Sequence, residues 1–372
     1  MKKALYAYFG LLGPHDIDIP GHTFYQPFLL EEILVMLGME EKNEVDFFSY
    51  LPYRIKSKDA CYKFSSKLVA GYPTLLQNYI YDKLANMIGD YNDGEWIIPN
   101  VDNYSVLILK ARFRNPSTFA KKYYDTAFFE FTLDKGHKSN IPTFIVDTDL
   151  SLPSKFIDKI NNMNNVHIIS LGNPCKAYPN LNPKKIFPKT LRGITAKTLS
   201  DITEIYRTHS KSELFFRQKE NLLAYYGNIA SANYKVGHTK NIKILNYLLK
   251  IREDTDFSVN VIGKIEESSF LMLPNTKRYD RIEIGKILSK SKLNVNISKD
   301  LYVDAGFWPA RISEACVFGS IPISYKGKFP DSLTFSDYHR FKEICKFYEE
   351  LEPIDFKNMY IREMGNLIKY LN

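Results

Sequence analysis

The chain has 372 residues, of which 45% are hydrophobic and 14% aromatic, and a formal net charge of +8. This length exceeds the size at which a single hydrophobic core stops growing, so we expect two domains with a cleft between them. No apolar run approaches the roughly 20 residues of a membrane-spanning helix, so we expect a soluble globular protein.

The four cysteines, Cys61, Cys175, Cys316 and Cys345, are widely separated and show no paired spacing. This pattern favours neither a metal site nor a disulfide framework, and we expect a reducing, cytoplasmic environment. Polar and turn residues follow the amino-terminal MKKALYAYFG, so we predict a first strand there rather than a signal peptide. The excess of positive charge suits a polyanionic partner.

The first half alternates strands and helices. A strand over 4–9 ends in glycines, and a helix follows from about 24 to 37, with Gly38 placed to cap it. This order predicts a mostly parallel, doubly wound sheet with ligands at the carboxyl ends of its strands. Further strands are predicted at 45–51, 104–109, 142–146 and 166–170, and further helices at 67–88 and 117–124.

The second half repeats this α/β pattern after a proline-rich stretch at 173–189, which is the best candidate for a linker. Its predicted strands lie at 223–228, 257–263, 293–297 and 321–325, and its predicted helices at 241–250 and 341–371.

The segment from Asp304 to Pro330 brings a cation and an acid together. Arg311 and Glu314 are three residues apart, so in a helix they share one face, one turn apart. The arginine can meet a diphosphate at the helix start, and the glutamate can accept hydrogen bonds from ribose hydroxyls. The alternative interpretation is a surface salt bridge within the helix.

Four motifs in a fixed order carry a resemblance to a known family. They are Asp147-Thr148-Asp149-Leu150-Ser151-Leu152-Pro153, then Tyr226-Gly227-Asn228 followed by Lys235 and Lys240, then Val261-Ile262-Gly263, and finally Ala310-Arg311-Ile312-Ser313-Glu314. Together they resemble the bacteriophage DNA β-glucosyltransferases, which transfer glucose from UDP-glucose to hydroxymethylated cytosine in DNA. The sequence departs from that family where lysines replace arginines in the phosphate loop and where Gln26 stands in place of a glutamate.

The resemblance implies a GT-B fold, with two Rossmann-like, doubly wound α/β domains facing across a cleft. The implied parts are an acceptor-binding domain at 1–178, a linker at 179–190, a nucleotide-sugar domain at 191–345 and a helical tail at 346–372. The carboxyl-terminal helix is expected to pack back on the amino-terminal domain.

The resemblance also implies roles for single residues. Asp149 is the candidate catalytic base, with Asp147 as runner-up and a turn-capping aspartate as the alternative. Arg311 would hold the diphosphate and Glu314 the ribose. The other implied donor-site residues are Lys235 and Lys240 at the phosphates, Ile282 at uracil, Gly227 and Gly263 at close backbone approaches, and Gln26 near the sugar.

For the acceptor, the best basic patch is the loop of Lys110, Arg112, Phe113 and Arg114. Its cations suit DNA phosphates, and its aromatic ring suits a duplex opened by base flipping. A charged surface loop without a ligand is the alternative.

These implications combine into one expected function: an inverting transfer of glucose or a pentose from a UDP-sugar to a hydroxylated pyrimidine in double-stranded phage DNA. The modification would protect that DNA from host nucleases. We expect a monomer in the cytoplasm of the infected cell, with no membrane partner and no required cofactor, although a divalent cation such as Mg²⁺ is compatible. The alternatives are a GT-B enzyme with another acceptor, such as a cell-surface glycan, and a non-catalytic sugar-nucleotide or nucleic-acid binding protein.

Overall fold

The structure is a computed structural model, and its contacts divide the chain into two compact units. Unit 1 comprises Met1–Ser66 and Asp82–Leu191, and unit 2 comprises Lys67–Tyr81 and Arg192–Asn372. The residues that the structure describes are 3–8, 27–39, 45–49, 71–87, 100–110, 126–147, 152–170, 174–189, 191–229, 242–276, 281–298, 300–305 and 307–372.

In the part of unit 1 that the structure describes, five parallel strands form a sheet in the order β2-β1-β3-β4-β5. The strand order reverses between β1 and β3, as in flavodoxin-like doubly wound sheets. The strands are β1 (Ala4–Tyr8), β2 (Val45–Ser49), β3 (Val106–Lys110), β4 (Thr143–Asp147) and β5 (Val166–Ser170), and the helices are α1 (Pro27–Met36), α3 (Thr126–Lys138) and α4 (Ser154–Asn161). Helix α2 (Gln77–Met87) has its first residues in unit 2 and its last in unit 1.

Burial explains why these segments fold as they do. The central strand β3, with the sequence VLILK, is buried at every position, as expected for a parallel strand covered on both faces. Helix α4 buries Phe156, Ile157 and Ile160 along one face against the sheet. After α1, Gly38 has a φ of 66°, which confirms it as the capping residue.

The described residues of unit 2 form a sheet of six parallel strands in the order β11-β10-β9-β6-β7-β8. Counted from β6, this is the 3-2-1-4-5-6 order of a Rossmann sheet, and its topological switch point lies between β6 and β9. The strands are β6 (Glu220–Tyr226), β7 (Ser258–Ile262), β8 (Asn275–Thr276), β9 (Ser291–Asn296), β10 (Ile321–Tyr325) and β11 (Thr334–Phe335).

The helices of unit 2 cover this sheet, and the last of them closes its core. The helices are α5 (Ala196–Thr208), α6 (Ser212–Phe216), α7 (Ile242–Asp254), α8 (Arg281–Lys290), α9 (Asp300–Ala305), α10 (Ala310–Val317), α11 (Tyr338–Glu349) and α12 (Pro353–Leu371). The helical tail predicted over 341–371 is formed by α11 and α12. The apolar face of α12 packs on α5 and α6 of the same unit, and the Tyr360 hydroxyl donates to the Cys316 carbonyl.

Lys219 joins the carboxyl ends of two helices in unit 2. Its buried Nζ donates to the carbonyl oxygens of Leu288 at 3.2 Å, Ser291 at 3.1 Å and Phe318 at 2.8 Å. These carbonyls stand at the carboxyl ends of α8 and α10. Both helices start at the carboxyl edge of the sheet, and the contact with Lys219 fixes the distance between their opposite ends.

A segment near residue 75 packs on the same two helices. The Tyr72 ring stacks on Phe318 with centroids 5.3 Å apart, and a Cβ on Gly285 would overlap the Gly71 carbonyl. The sequence predicts a helix from 67 with breaks at Gly71 and Pro73, whereas the α-helix begins at Gln77. The predicted class, α/β with two parallel doubly wound sheets, is confirmed.

Candidate functional site

The switch point of unit 2 is the strongest candidate site. Strands β6 and β9 are neighbours, and the helices that follow them cross the sheet in opposite directions. The carboxyl ends of such a strand pair flank a crevice that is the usual ligand site of open α/β sheets. Gly227 follows β6 and Ser298 follows β9 at this edge, and α10 starts there with Arg311 in its first turn.

Arg311 is held in place by two polar side chains at the end of β9. Its Nε donates to Asn296 Oδ1 at 2.8 Å, and its Nη2 donates to Ser298 Oγ at 2.7 Å. Asn296 and Ser298 are buried, at 3% exposure each. A guanidinium fixed in this way loses little side-chain entropy when it meets an anion.

The Asn296 amide is itself oriented by a further contact. Its Nδ2 donates to Ser324 Oγ at 3.0 Å, across the register pair of β9 and β10. Ser324 in turn donates to the Lys326 carbonyl at 3.1 Å. The orientation of Arg311 therefore depends on hydrogen bonds to residues of both β9 and β10. The sequence predicted Arg311 but missed Asn296, Ser298 and Ser324, whose only local signal is a polar residue at a strand end.

Glu314 lies one helical turn after Arg311, as predicted from their spacing. It is buried, with 1% of its surface exposed. A ribose would therefore have to displace the groups that now cover the carboxylate. Its role at the ribose stays a prediction.

The two strand-end glycines approach each other closely. A Cβ on Gly263 would overlap the Gly227 carbonyl, so the turns after β6 and β7 can meet only because residue 263 has no side chain. The Gly227 amide donates to the Ile262 carbonyl at 3.0 Å. Their predicted role in ligand approach stays a prediction, but the steric reason for glycine is structural.

Ile282 lies in the first turn of α8 and is 52% exposed. Its predicted contact with uracil is not tested. Several other predicted residues lie outside the described part of the chain: Gln26, Arg112, Phe113, Arg114, Asp149, Lys235 and Lys240.

Asp147, the runner-up for the base, ends strand β4 in unit 1 and is fully buried. Its Oδ2 accepts a hydrogen bond from the Tyr178 hydroxyl at 2.5 Å, and the same hydroxyl accepts from the Leu152 amide at 2.7 Å. Both described residues that flank 148–151 are therefore tied to one tyrosine. Asp149 lies within that segment.

Lys110 ends β3 beside the switch point of unit 1 and is 7% exposed. It pairs in register with Val146, so it projects to the sheet face opposite Asp147. Little of its surface is therefore open to a DNA phosphate. Its predicted DNA contact stays a prediction.

The described residues include no group of three or more His, Cys, Asp or Glu side chains that could hold a metal ion. None of the described helices is long and apolar enough to cross a membrane.

No protein-family model and no curated protein matches this sequence. Among solved structures, the chain is similar to the catalytic domain of starch synthase IV from Arabidopsis thaliana bound to ADP and acarbose, with 8% identity, a TM-score of 0.45 and coverage of 100% of this chain and 95% of that one. It is also similar to α,α-trehalose 6-phosphate synthase from Burkholderia multivorans, with 8% identity, a TM-score of 0.42 and coverage of 100% and 96%.

A third similar structure is UDP-GlcNAc 2-epimerase from Methanocaldococcus jannaschii, with 11% identity, a TM-score of 0.34 and coverage of 100% of both chains. Since all three TM-scores are below 0.5, these likenesses assign no function. The functional proposal therefore rests on the residues of this chain.

Proposed function

We propose that the protein is an inverting glycosyltransferase with a UDP-sugar donor. The observation that carries this proposal is the guanidinium of Arg311, which Asn296 and Ser298 hold at the switch point of a Rossmann-ordered sheet and in the first turn of α10. Nucleotides bind at such switch points, and their phosphates lie at helix amino termini.

The donor half of the reaction needs a fixed cation at the diphosphate. As the bond between the sugar and the diphosphate breaks, negative charge grows on the departing UDP, and a preorganised cation lowers the barrier. Arg311 has this role, supported by Lys235 and Lys240. Glu314 accepts hydrogen bonds from the ribose, and Ile282 offers its backbone to uracil.

The acceptor half needs a base. A hydroxyl oxygen of the acceptor attacks the anomeric carbon from the side opposite the diphosphate, and Asp149 takes the hydroxyl proton. The new bond joins the acceptor oxygen to the anomeric carbon, and UDP departs with the electron pair of the broken bond. The hydrogen bonds of Tyr178 to Asp147 and to the Leu152 amide support this role, because they restrain both ends of the segment that carries Asp149.

We further propose that the acceptor is a hydroxymethylated pyrimidine in double-stranded DNA. Support comes from the ordered motifs shared with phage DNA glucosyltransferases and from the net charge of +8. Replacing Arg112 and Arg114 by alanine should weaken DNA binding and flatten its salt dependence in gel shifts at two salt concentrations. Unchanged binding and slope would remove this loop from the interface.

The reaction itself is tested by UDP release from a panel of UDP-sugars in the presence of hydroxymethylated DNA, with mass spectrometry of the digested DNA. The expected result is a sugar-bearing nucleoside with wild type and none with Asp149→Asn, while both proteins bind UDP equally. An active Asp149→Asn enzyme would remove the proposed base. UDP release without modified DNA would point to another acceptor.

A further inference from the structure

Tyr225 occupies the strand position next to the switch point. It lies in β6, pairs in register with Val295 of β9 on one side and with Val261 of β7 on the other, and is 4% exposed. The ring is therefore held rigidly by the centre of the sheet. Its neighbour on β9 is one residue before Asn296, so Tyr225 and Asn296 project to opposite faces of the sheet.

The hydroxyl of Tyr225 reaches the carboxyl edge of the sheet. It lies 2.9 Å from the position that a Cβ on Gly227 would take, two residues further along the chain. No described residue forms a hydrogen bond with it. A tyrosine hydroxyl at the edge of a sheet takes its partner from a protein group, from water or from a ligand.

Arg311 stands at the same carboxyl edge of the sheet, in the first turn of α10, and its charge acts on this phenol. Burial raises the pKa of Tyr225, while the positive charge of Arg311 acts in the opposite direction, which places the guanidinium within electrostatic reach of the phenol. A phenol whose pKa is raised stays protonated at neutral pH and offers an O–H donor. A neutral donor and a cation thus reach the same crevice from opposite faces of the sheet.

We propose that the Tyr225 hydroxyl donates a hydrogen bond to the same phosphate group that Arg311 binds. This inference rests on the proposed use of a nucleoside diphosphate. An anionic oxygen accepts from both groups at once, whereas a ribose hydroxyl gains little from a guanidinium. The bound phosphate would then be the hydrogen-bond acceptor for the Tyr225 hydroxyl, for which the described residues offer none.

The test is calorimetric titration of the full chain with UDP and with uridine, using wild type and Tyr225→Phe. This change removes one oxygen and keeps the packed ring. UDP should bind about tenfold to a hundredfold more weakly, as for a lost hydrogen bond to a charged group, and uridine should bind as before. The melting temperature should stay the same or rise, because the hydroxyl has no partner among the described residues.

The matched control is Tyr360→Phe, which removes another buried hydroxyl in the same unit. That hydroxyl donates to the Cys316 carbonyl, so its loss should lower the melting temperature and leave UDP affinity unchanged.

Three results would overturn the inference: a Tyr225→Phe affinity for UDP within twofold of wild type, an equal loss for UDP and uridine, or an affinity loss accompanied by a fall in melting temperature as large as that of Tyr360→Phe. Failure of wild type to bind UDP would instead reject the proposed function, and this inference with it.

Discussion

The Nε of Arg311 donates to Asn296 Oδ1 at 2.8 Å, which joins the first turn of α10 to the end of β9. The two residues are fifteen positions apart in sequence, with α9 between them, and they come together because β9 ends and α10 begins at the same carboxyl edge of the sheet. This hydrogen bond sets the direction in which the guanidinium points. The orientation of the cation is therefore a property of the fold rather than of the local helix.

Removal of the Asn296 amide should free Arg311. Asn296→Ala leaves the guanidinium with fewer fixed partners, and we expect UDP affinity to fall by about tenfold, the loss of roughly one charge-assisted hydrogen bond. The control is Ser320→Ala, which removes a buried hydroxyl that donates to the Leu288 and Ser291 carbonyls behind α10. Titration with UDP should find the control unchanged, and an equal loss in both variants would mean that general destabilisation is the cause.

Gly263 should tolerate no side chain. In Gly263→Ala the new Cβ meets the Gly227 carbonyl, and we expect a loss of about 1–3 kcal/mol in the free energy of unfolding. Gly365 in α12 has nothing within 4 Å of its Cβ position, so Gly365→Ala should instead stabilise by about 0.5–1 kcal/mol. Chemical denaturation measures both. Equal effects of the two substitutions would show that the turns after β6 and β7 do not need this close approach.

Lys219 should make stability depend on pH in a distinctive way. Burial holds the pKa of Lys219 well below its ordinary value of 10.5. At a pH between the lowered pKa of Lys219 in the folded chain and its ordinary pKa in the unfolded chain, the unfolded chain binds more protons than the folded one. The free energy of unfolding therefore rises with pH in that window.

The measurement is the difference in free energy of unfolding between wild type and Lys219→Met from about pH 7 to about pH 10. The contributions of the other titrating groups are the same in both proteins and cancel in this difference. The free energy of unfolding of wild type, relative to that of Lys219→Met, should increase as the pH rises. A difference that stays flat, or shrinks, would contradict a depressed pKa at this lysine.

Tyr178→Phe should affect the acceptor half of the reaction, measured by kcat, without affecting binding of the UDP-sugar donor. The change removes the donor to Asp147 and the acceptor of the Leu152 amide, and we expect a cost of about 1–3 kcal/mol in stability of unit 1. Because the donor site lies in unit 2, the KM for the UDP-sugar should stay the same while kcat falls. A rise in that KM with kcat unchanged would place Tyr178 outside the chemistry of the base.

Much of the fold follows from local pattern. The continuous apolar run of β3 and the segments of β5 and β10 predict buried parallel strands, and Gly38 predicts the end of α1, because burial and backbone freedom act within a few residues. Strands β8 and β11 are only two residues long, and their sequences carry no periodicity. Helix α3 contains Gly136, whose lack of a side chain is needed for contact with Leu107 and Thr143, so a tertiary contact overrides its helix propensity.

The site was less predictable than the fold. The spacing of Arg311 and Glu314 predicts a shared helix face, which the structure contains. The anchoring of Arg311 by Asn296, Ser298 and Ser324 joins residues that are distant in sequence, and no local pattern indicates it. The position of the Tyr225 hydroxyl likewise depends on which strands are neighbours, and strand order follows from the whole topology.

The most direct measurement is calorimetric titration of UDP into wild type, Arg311→Ala and Arg207→Ala. Arg207 is an exposed arginine of α5 that pairs with Glu204 and serves as the matched control. We expect wild type and Arg207→Ala to bind UDP with equal affinity and Arg311→Ala to bind it at least about tenfold more weakly. Equal binding of UDP by Arg311→Ala and wild type, or no binding by wild type, would contradict a nucleotide site at the end of β9.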